Sequence, residues 1–208
     1  KNVFPKINDK IFIENNNLKI EYNKNNLYIE GKGDIYLQNN KDYIDFKVEK
    51  ENKLINFEGL IKLDKDPFII NFLNFEKDQN YETKIKFNGY RDATKKIFLK
   101  SIRLDENKNT IEAKNIQFSS KFKIKSIKNI NADYVDIQDQ QNIFNIKKTN
   151  NRYVLQGSSF NGDSLLENIL VGDENKDYFN EDFELILKII KVRVDNEFNL
   201  KNLSGNLK

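Results

Sequence analysis

Apolar and polar residues alternate one by one along most of this chain. Ile44, Phe46 and Val48 share one face of "YIDFKVEK", and Ile55 and Phe57 share one face of "KLINFEG". Ile61 and Leu63 follow in "LIKLD", then Ile85 and Phe87 in "ETKIKFNG". The same period marks Phe122 and Ile124, Val135 and Ile137, and Phe144 and Ile146. The longest run is "DFELILKIIKVRVD", with Phe183, Leu185, Leu187 and Ile189 in phase. The phase slips at Ile189–Ile190 and resumes with Val192 and Val194, as a one-residue β-bulge does. A period of two is the signature of a strand with one face buried and one face wet.

Clusters such as "ENNN", "NKNN", "EKEN", "DENKN" and "KTNN" separate these runs. Asn and Asp tolerate left-handed backbone and bond their own turns, so the clusters read as tight connections. Strand plus turn recurs about every ten residues, which predicts an antiparallel meander. "DPFIINFLNFEKD" fits either period, and its β-branched and aromatic residues favour a strand. One stretch predicts a helix. Ser164 and Glu167 have capping-box spacing, Leu165, Leu166, Ile169 and Leu170 form an apolar stripe, and Gly172 stands at the C-terminal stop. That helix, near 164–171, is about two turns long and must dock on the sheet to be stable. No linker rich in Pro, Gly or Ser divides the chain, so residues 1–208 are read as one β-rich unit.

Composition sharpens this. The chain is 38% hydrophobic and 32% charged, as expected when half of each strand is solvated. The net charge of +3 comes from interleaved signs, 35 basic against 32 acidic residues, which argues against a nucleic-acid partner. His and Cys are both absent, which excludes Ser-His-Asp and Cys-His catalysis and zinc sites built on those residues. The chain begins at Lys1 with no run of apolar residues long enough to cross a membrane as a helix. The expectation is a segment of a longer protein with its anchor elsewhere.

The remaining motifs carry little chemistry. "DENKDYFNEDFE" nearly follows a calcium loop, but Tyr178 replaces the glycine of the sharp turn and a strand pattern follows Glu184. "LDENKNT" lacks the terminal Glu. The carboxylates Glu181, Asp182 and Glu184, and Asp133, Asp136 and Asp139, lie at polar strand positions or in loops, without the burial that general acid–base work requires. "GKGD" at Gly31–Asp34 has no P-loop ending and reads as a turn or strand entry. In "KFKIKSIK", Lys121, Lys123 and Lys125 oppose Phe122 and Ile124, so cations and apolar groups face apart. A single-strand nucleic-acid platform needs them together. No cofactor and no enzymatic activity are expected.

The last quarter of the chain has a more specific look. A strand ends in Gly157, then come "SSFNGDSLLENIL", a polar loop, a long amphipathic strand and the ending "LKNLSGNLK". This order, over Arg152–Lys208, resembles the AsmA-like family of Gram-negative envelope proteins, with Asn161 where the family phrase has Asp. The resemblance implies a curled antiparallel meander sheet forming an apolar groove. It further implies phospholipid transfer across the periplasm by an inner-membrane-anchored protein that supports envelope integrity. The acyl chains would then lie on Ile44, Phe46, Val48, Ile55, Phe57, Ile85, Phe87, Phe122, Ile124, Val135, Ile137, Leu185, Leu187 and Ile189. Both membranes would be reached through other parts of the full-length protein. The competing expectation is a β-sandwich or solenoid scaffold, or an adhesin-like interaction module. One sheet or two facing sheets is the observation that separates them.

Overall fold

The structure is a computed structural model. It describes residues 10–119, 124–150, 152–163, 184–194 and 198–207. The strands are β1 (Phe12–Asn23), β2 (Asn26–Tyr36), β3 (Asp42–Glu51), β4 (Leu54–Leu63), β5 (Ile69–Ile70), β6 (Phe75–Glu76), β7 (Thr83–Arg91), β8 (Ile97–Glu106), β9 (Asn109–Phe118), β10 (Ile124–Val135), β11 (Gln141–Thr149), β12 (Arg152–Asn161), β13 (Glu184–Arg193) and β14 (Asn199–Leu207). Twelve of them form one sheet in the order β1-β2-β3-β4-β7-β8-β9-β10-β11-β12-β13-β14. β1 and β14 are its two edges, so the sheet is open and not closed into a barrel. Every neighbour pair is antiparallel except β12–β13, which is parallel. The helix expected near 164–171 and the candidate Phe122 lie outside the described residues.

The Asn-rich clusters make the connections. Lys24–Asn25, Asn52–Lys53 and Asn107–Lys108 each join two strands as two-residue hairpins. Lys24, Asn52 and Asn107 lead them at φ of 51°, 54° and 49°. Short hairpins with left-handed residues match the natural twist of the flanking strands. Among the described non-glycine residues with positive φ, seven of ten are Asn. Asn15 and Asn115 supply that conformation inside β1 and β9 instead of in a turn. "GKGD" is not a turn: Gly31–Asp34 lies in the middle of β2, paired with both neighbours.

The phase slip expected at Ile189–Ile190 is present, but the register of β12–β13 runs through it unchanged, so it is not the one-residue bulge expected. The pairing steps from Gly157–Ile189 to Ser159–Lys191 and leaves out Ser158 and Ile190. Ile189 and Val192 are buried, while Ile190 is 61% exposed.

Residues 64–82 depart from the meander. The expectation of a strand across "DPFIINFLNFEKD" is corrected here. The segment breaks into β5, a 3₁₀ turn at Asn71–Leu73 and β6, with β5 and β6 paired only to each other. Asn74 closes the turn in left-handed conformation, and its N–H donates to Asn71 O at 3.1 Å. Phe68, Leu73 and Phe75 from this plug are buried in the same cluster as Leu63, Ile85, Leu104, Tyr134 and Phe144 of the sheet. Phe75 meets Tyr134 edge-on at 5.8 Å, and Tyr134 meets Phe144 at 6.4 Å in the same way. The Tyr134 hydroxyl donates to Leu73 O at 2.7 Å, and Ile137 N–H donates to Asn74 O at 3.0 Å. Burial pushes the Tyr134 phenol well up from its ordinary value, so it stays a donor.

Two substitutions test how firmly this plug is held. Phe75→Ala should lower unfolding stability by about 3–5 kcal/mol, because a large fully buried ring leaves a cavity. Tyr134→Phe should cost about 1–3 kcal/mol, because Leu73 C=O loses its buried partner. Urea unfolding of each variant measures both, and equal midpoints for Tyr134→Phe and the parent would refute the second.

Candidate functional site

In an antiparallel ladder, directly opposed residues share a face. Following the pairs across the sheet gives one row of Leu18, Gly31, Phe46, Gly59, Phe87, Ile102, Ala113, Ile130, Ile146, Leu155, Leu187 and Gly205. Every position in it is apolar or glycine, from one edge strand to the other. The next row runs Ile44, Ile61, Ile85, Leu104, Ile111, Ala132, Phe144, Gly157, Ile189 and Leu203. At about 4.8 Å per strand, the first row is an apolar track about 50 Å long, crossing the strands.

The opposite face is wet. Lys19–Glu21 at 2.8 Å, Lys47–Glu49 at 2.7 Å, Arg103–Asp105 at 2.8 Å and Lys114–Glu112 at 2.9 Å pair residues two apart on one strand. Exposed pairs of this kind contribute little to stability. They mark the solvated side, and stability comes from the other one.

Ten of the expected lining residues lie together on the apolar face: Ile44, Phe46, Val48, Ile55, Phe57, Ile85, Phe87, Leu185, Leu187 and Ile189. Val135 and Ile137 do not, which corrects the expectation. In β10 the inward phase belongs to Ile130, Ala132 and Tyr134, so Val135 falls on the wet face at 39% exposure. Ile137 lies past the strand end and is 61% exposed. Counting Tyr134 as polar puts "YVDIQD" in the wrong phase. Ile124 opens β10, ahead of a register shift, and is also exposed.

The apolar face has two parts. The core cluster takes in Ile44, Ile61, Ile85 and the β8–β13 positions beneath and beside the plug. Leu18, Ile20, Ile29, Phe46, Val48, Ile55, Phe57 and Phe87, on β1–β4 and β7, stand outside that cluster. Leu18 and Ile20 are 52% and 58% exposed, and the others from Ile29 onward are half-buried. Three glycines shape this second area. A Cβ at Gly31 would meet the Phe46 ring at 2.7 Å, one at Gly59 the Phe87 ring at 2.6 Å, and one at Gly89 the Phe57 ring at 2.8 Å. The rings therefore lie over the glycines and give an aromatic floor, with the Phe57 and Phe87 planes tilted 51° to each other. The sequence signal for it is a glycine at an apolar-phase position opposite a Phe.

The buried polar groups of β3, β7, β8 and the plug gather at the plugged end of the same face. Asp42, Asp66, Lys77, Thr83 and Glu106 are all buried there. Asp66 accepts from Gln38 N at 3.2 Å, Asn40 N at 3.0 Å and Asn40 Nδ2 at 2.6 Å. Lys77 Nζ donates to the carbonyls of Asp64, Asp78 and Tyr81 at 2.5, 3.1 and 2.8 Å. Thr83 Oγ1 donates to Glu106 Oε2, and Glu106 Oε1 accepts Asp78 N–H at 3.3 Å. Asp42 Oδ1 accepts Asp64 N–H at 3.0 Å, while its Oδ2 is buried without a partner. Asp42 and Glu106 tie residues 64–82 to β3 and β8, Asp66 ties them to the β2–β3 connection, and Lys77 holds the plug together from within.

At the same end, Asp136 corrects the reading of the Asp133–Asp139 carboxylates as unburied. It is buried and accepts from Gln138 N, Gln140 N, Asn142 Nδ2 and Asn161 Nδ2 at 2.9, 3.0, 3.1 and 2.7 Å. Its bonds lock the β10–β11 turn against β12, which is a structural task. "LDENKNT" is the β8–β9 hairpin, with Asp105 held by Arg103. Among the described residues no three acidic side chains converge as metal ligands.

No known protein family matches this chain, and no curated protein or solved structure matches it significantly.

Burial pushes the Asp42 carboxyl from 3.8 up to about 7, against the Asp64 hydrogen bond and with the nearby Asp66 charge adding to the rise. The folded state therefore holds a proton that the unfolded chain releases near pH 4. The stabilisation is complete below that pH and is lost as pH rises through about 7. Asp42→Asn keeps the acceptor for Asp64 and cannot ionise. It should flatten the loss of stability between pH 4 and 8 and be more stable than the parent at pH 8. Thermal unfolding across that range checks it; parallel curves would refute it.

Proposed function

We propose that the apolar face of this sheet curls into an open groove that holds phospholipid acyl chains, as part of a non-enzymatic lipid carrier. The supporting observation is the apolar row that runs without a break from β1 to β14 on a sheet that is open at both edges. An acyl chain lying along it would meet methyl, methylene and aromatic surface at every step. Each CH₂ removed from water contributes about 0.8 kcal/mol. The right-handed twist common to all sheets gives such a wide sheet its curvature. No single side chain is indispensable on this reading, since adjacent strands repeat the same surface.

The wider setting follows from the resemblance of Arg152–Lys208 to AsmA-like proteins. On this reading the segment belongs to a periplasmic, inner-membrane-anchored protein that passes phospholipid towards the outer membrane. A β-sandwich or adhesin-like scaffold is less well supported, because the ladder does not divide into two large facing sheets.

Native mass spectrometry of protein purified with its lipids is the test. The expected result is copurified phospholipid that exchanges with added lipid. Phe57→Asp, in the half-exposed area outside the core cluster, should keep the fold by circular dichroism and weaken lipid retention by about 10- to 100-fold, the equivalent of one buried Phe side chain. A folded parent protein that neither carries nor takes up lipid would sink the proposal.

A further inference from the structure

On β1–β4 and β7 the apolar face carries charge only in its end rows. Asp42 stands in the plugged row, while Lys50 and Arg91 stand at the other end. Ile55 is paired directly with Lys50 on one side and with Arg91 on the other, so the three residues form one row on one face. Two strand spacings put the backbones of the two cations about 10 Å apart, within joint reach of one small anion. Glu49 and Glu51 point to the opposite face by alternation, and Glu49 is held by Lys47 at 2.7 Å. Asp92, next to Arg91, is occupied by the N–H groups of Thr94 and Lys96 at 2.8 and 3.0 Å. Among the described residues, no ion pair engages Lys50 or Arg91.

Directly behind this row lie Val48 and Phe57, on the uncovered part of the apolar face. We infer that Lys50 and Arg91 form a headgroup site for an anionic phospholipid whose acyl chains run from the Ile55 row over the Phe46–Phe57 floor. Charge complementarity selects this occupant over a neutral one: the apolar floor takes chains of any lipid, and the cationic row favours an anionic head. The opposite choice, an all-apolar end row, would leave the head indifferent. Like other exposed charge interactions, the preference weakens as salt rises.

This inference rests on the proposed acyl-chain groove, and one experiment separates the two. Dioctanoyl phosphatidylglycerol and dioctanoyl phosphatidylcholine have matched chains and differ in head charge. Calorimetric titration at low ionic strength should show the former binding about tenfold tighter, in keeping with two cations near one anion. Lys50→Gln combined with Arg91→Gln should remove that preference, bringing phosphatidylglycerol affinity down to that of phosphatidylcholine. Lys32→Gln combined with Lys86→Gln, on the wet face, removes the same net charge and should preserve it. Equal binding of both lipids by the parent overturns the headgroup site while the groove stands. A preference that survives in the Lys50/Arg91 variant, or vanishes in the Lys32/Lys86 variant, overturns the assignment to these residues. Binding of neither lipid sinks the groove and the headgroup site together.

Discussion

A sheet of twelve strands with one apolar face has to cover that face or offer it to something. Every other feature of this molecule answers to that constraint. A hydrophobic surface tens of ångströms across cannot be left entirely to water, because the unfavourable free energy grows with its area. The chain covers part of it by inserting residues 64–82 between β4 and β7 and folding them back over the β7–β11 region. The remaining area, over β1–β4 and the far end of β7, keeps the same alternation and has no cover among the described residues.

The plug is held by two kinds of interaction that behave differently. Phe68, Leu73 and Phe75 bury apolar surface in the core cluster, where Phe75 meets Tyr134 edge-on, an attraction indifferent to pH. Around them, backbone groups of the plug are met by buried side chains: Asp42 takes Asp64 N–H, Glu106 takes Asp78 N–H, and Tyr134 gives to Leu73 C=O. Such bonds add modest net energy but are costly to break once dry. They fix where the plug sits, while the aromatic contacts make it stay. The far end has no such buried polar network, and its Phe-over-Gly floor suits a ligand without fixed shape.

Much of this was legible in the residue pattern. Period-two alternation located the principal strands, and the slip at Ile189–Ile190 located a change of phase, with Ile189 and Val192 buried and Ile190 exposed, though without the register shift of a bulge. The abundance of Asn, which also suggests simple compositional bias, turned out to serve left-handed positions in hairpins and bulges. What was not legible depends on contacts distant in sequence. "DPFIINFLNFEKD" has strand-like residues, but its ends are tied to Gln38 and Glu106 and its middle to Tyr134, and those ties break it into a plug. The phase of "YVDIQD" was misread because Tyr134 is polar by its hydroxyl and apolar by its ring. The glycine seats became visible only when the register placed Gly31, Gly59 and Gly89 beside Phe rings.

The order of the strands in space is their order in sequence, with β5 and β6 set aside. Each strand of the main sheet therefore depends mainly on its two neighbours, and stability accumulates along the sheet as in a linear repeat array. A hairpin can be added or deleted at one point without rewiring the rest, as the insertion of residues 64–82 between two paired strands already illustrates. Evolution can thus tune the span of such a surface in steps of two strands, about 10 Å at a time, while the chemistry of its face is conserved by alternation alone.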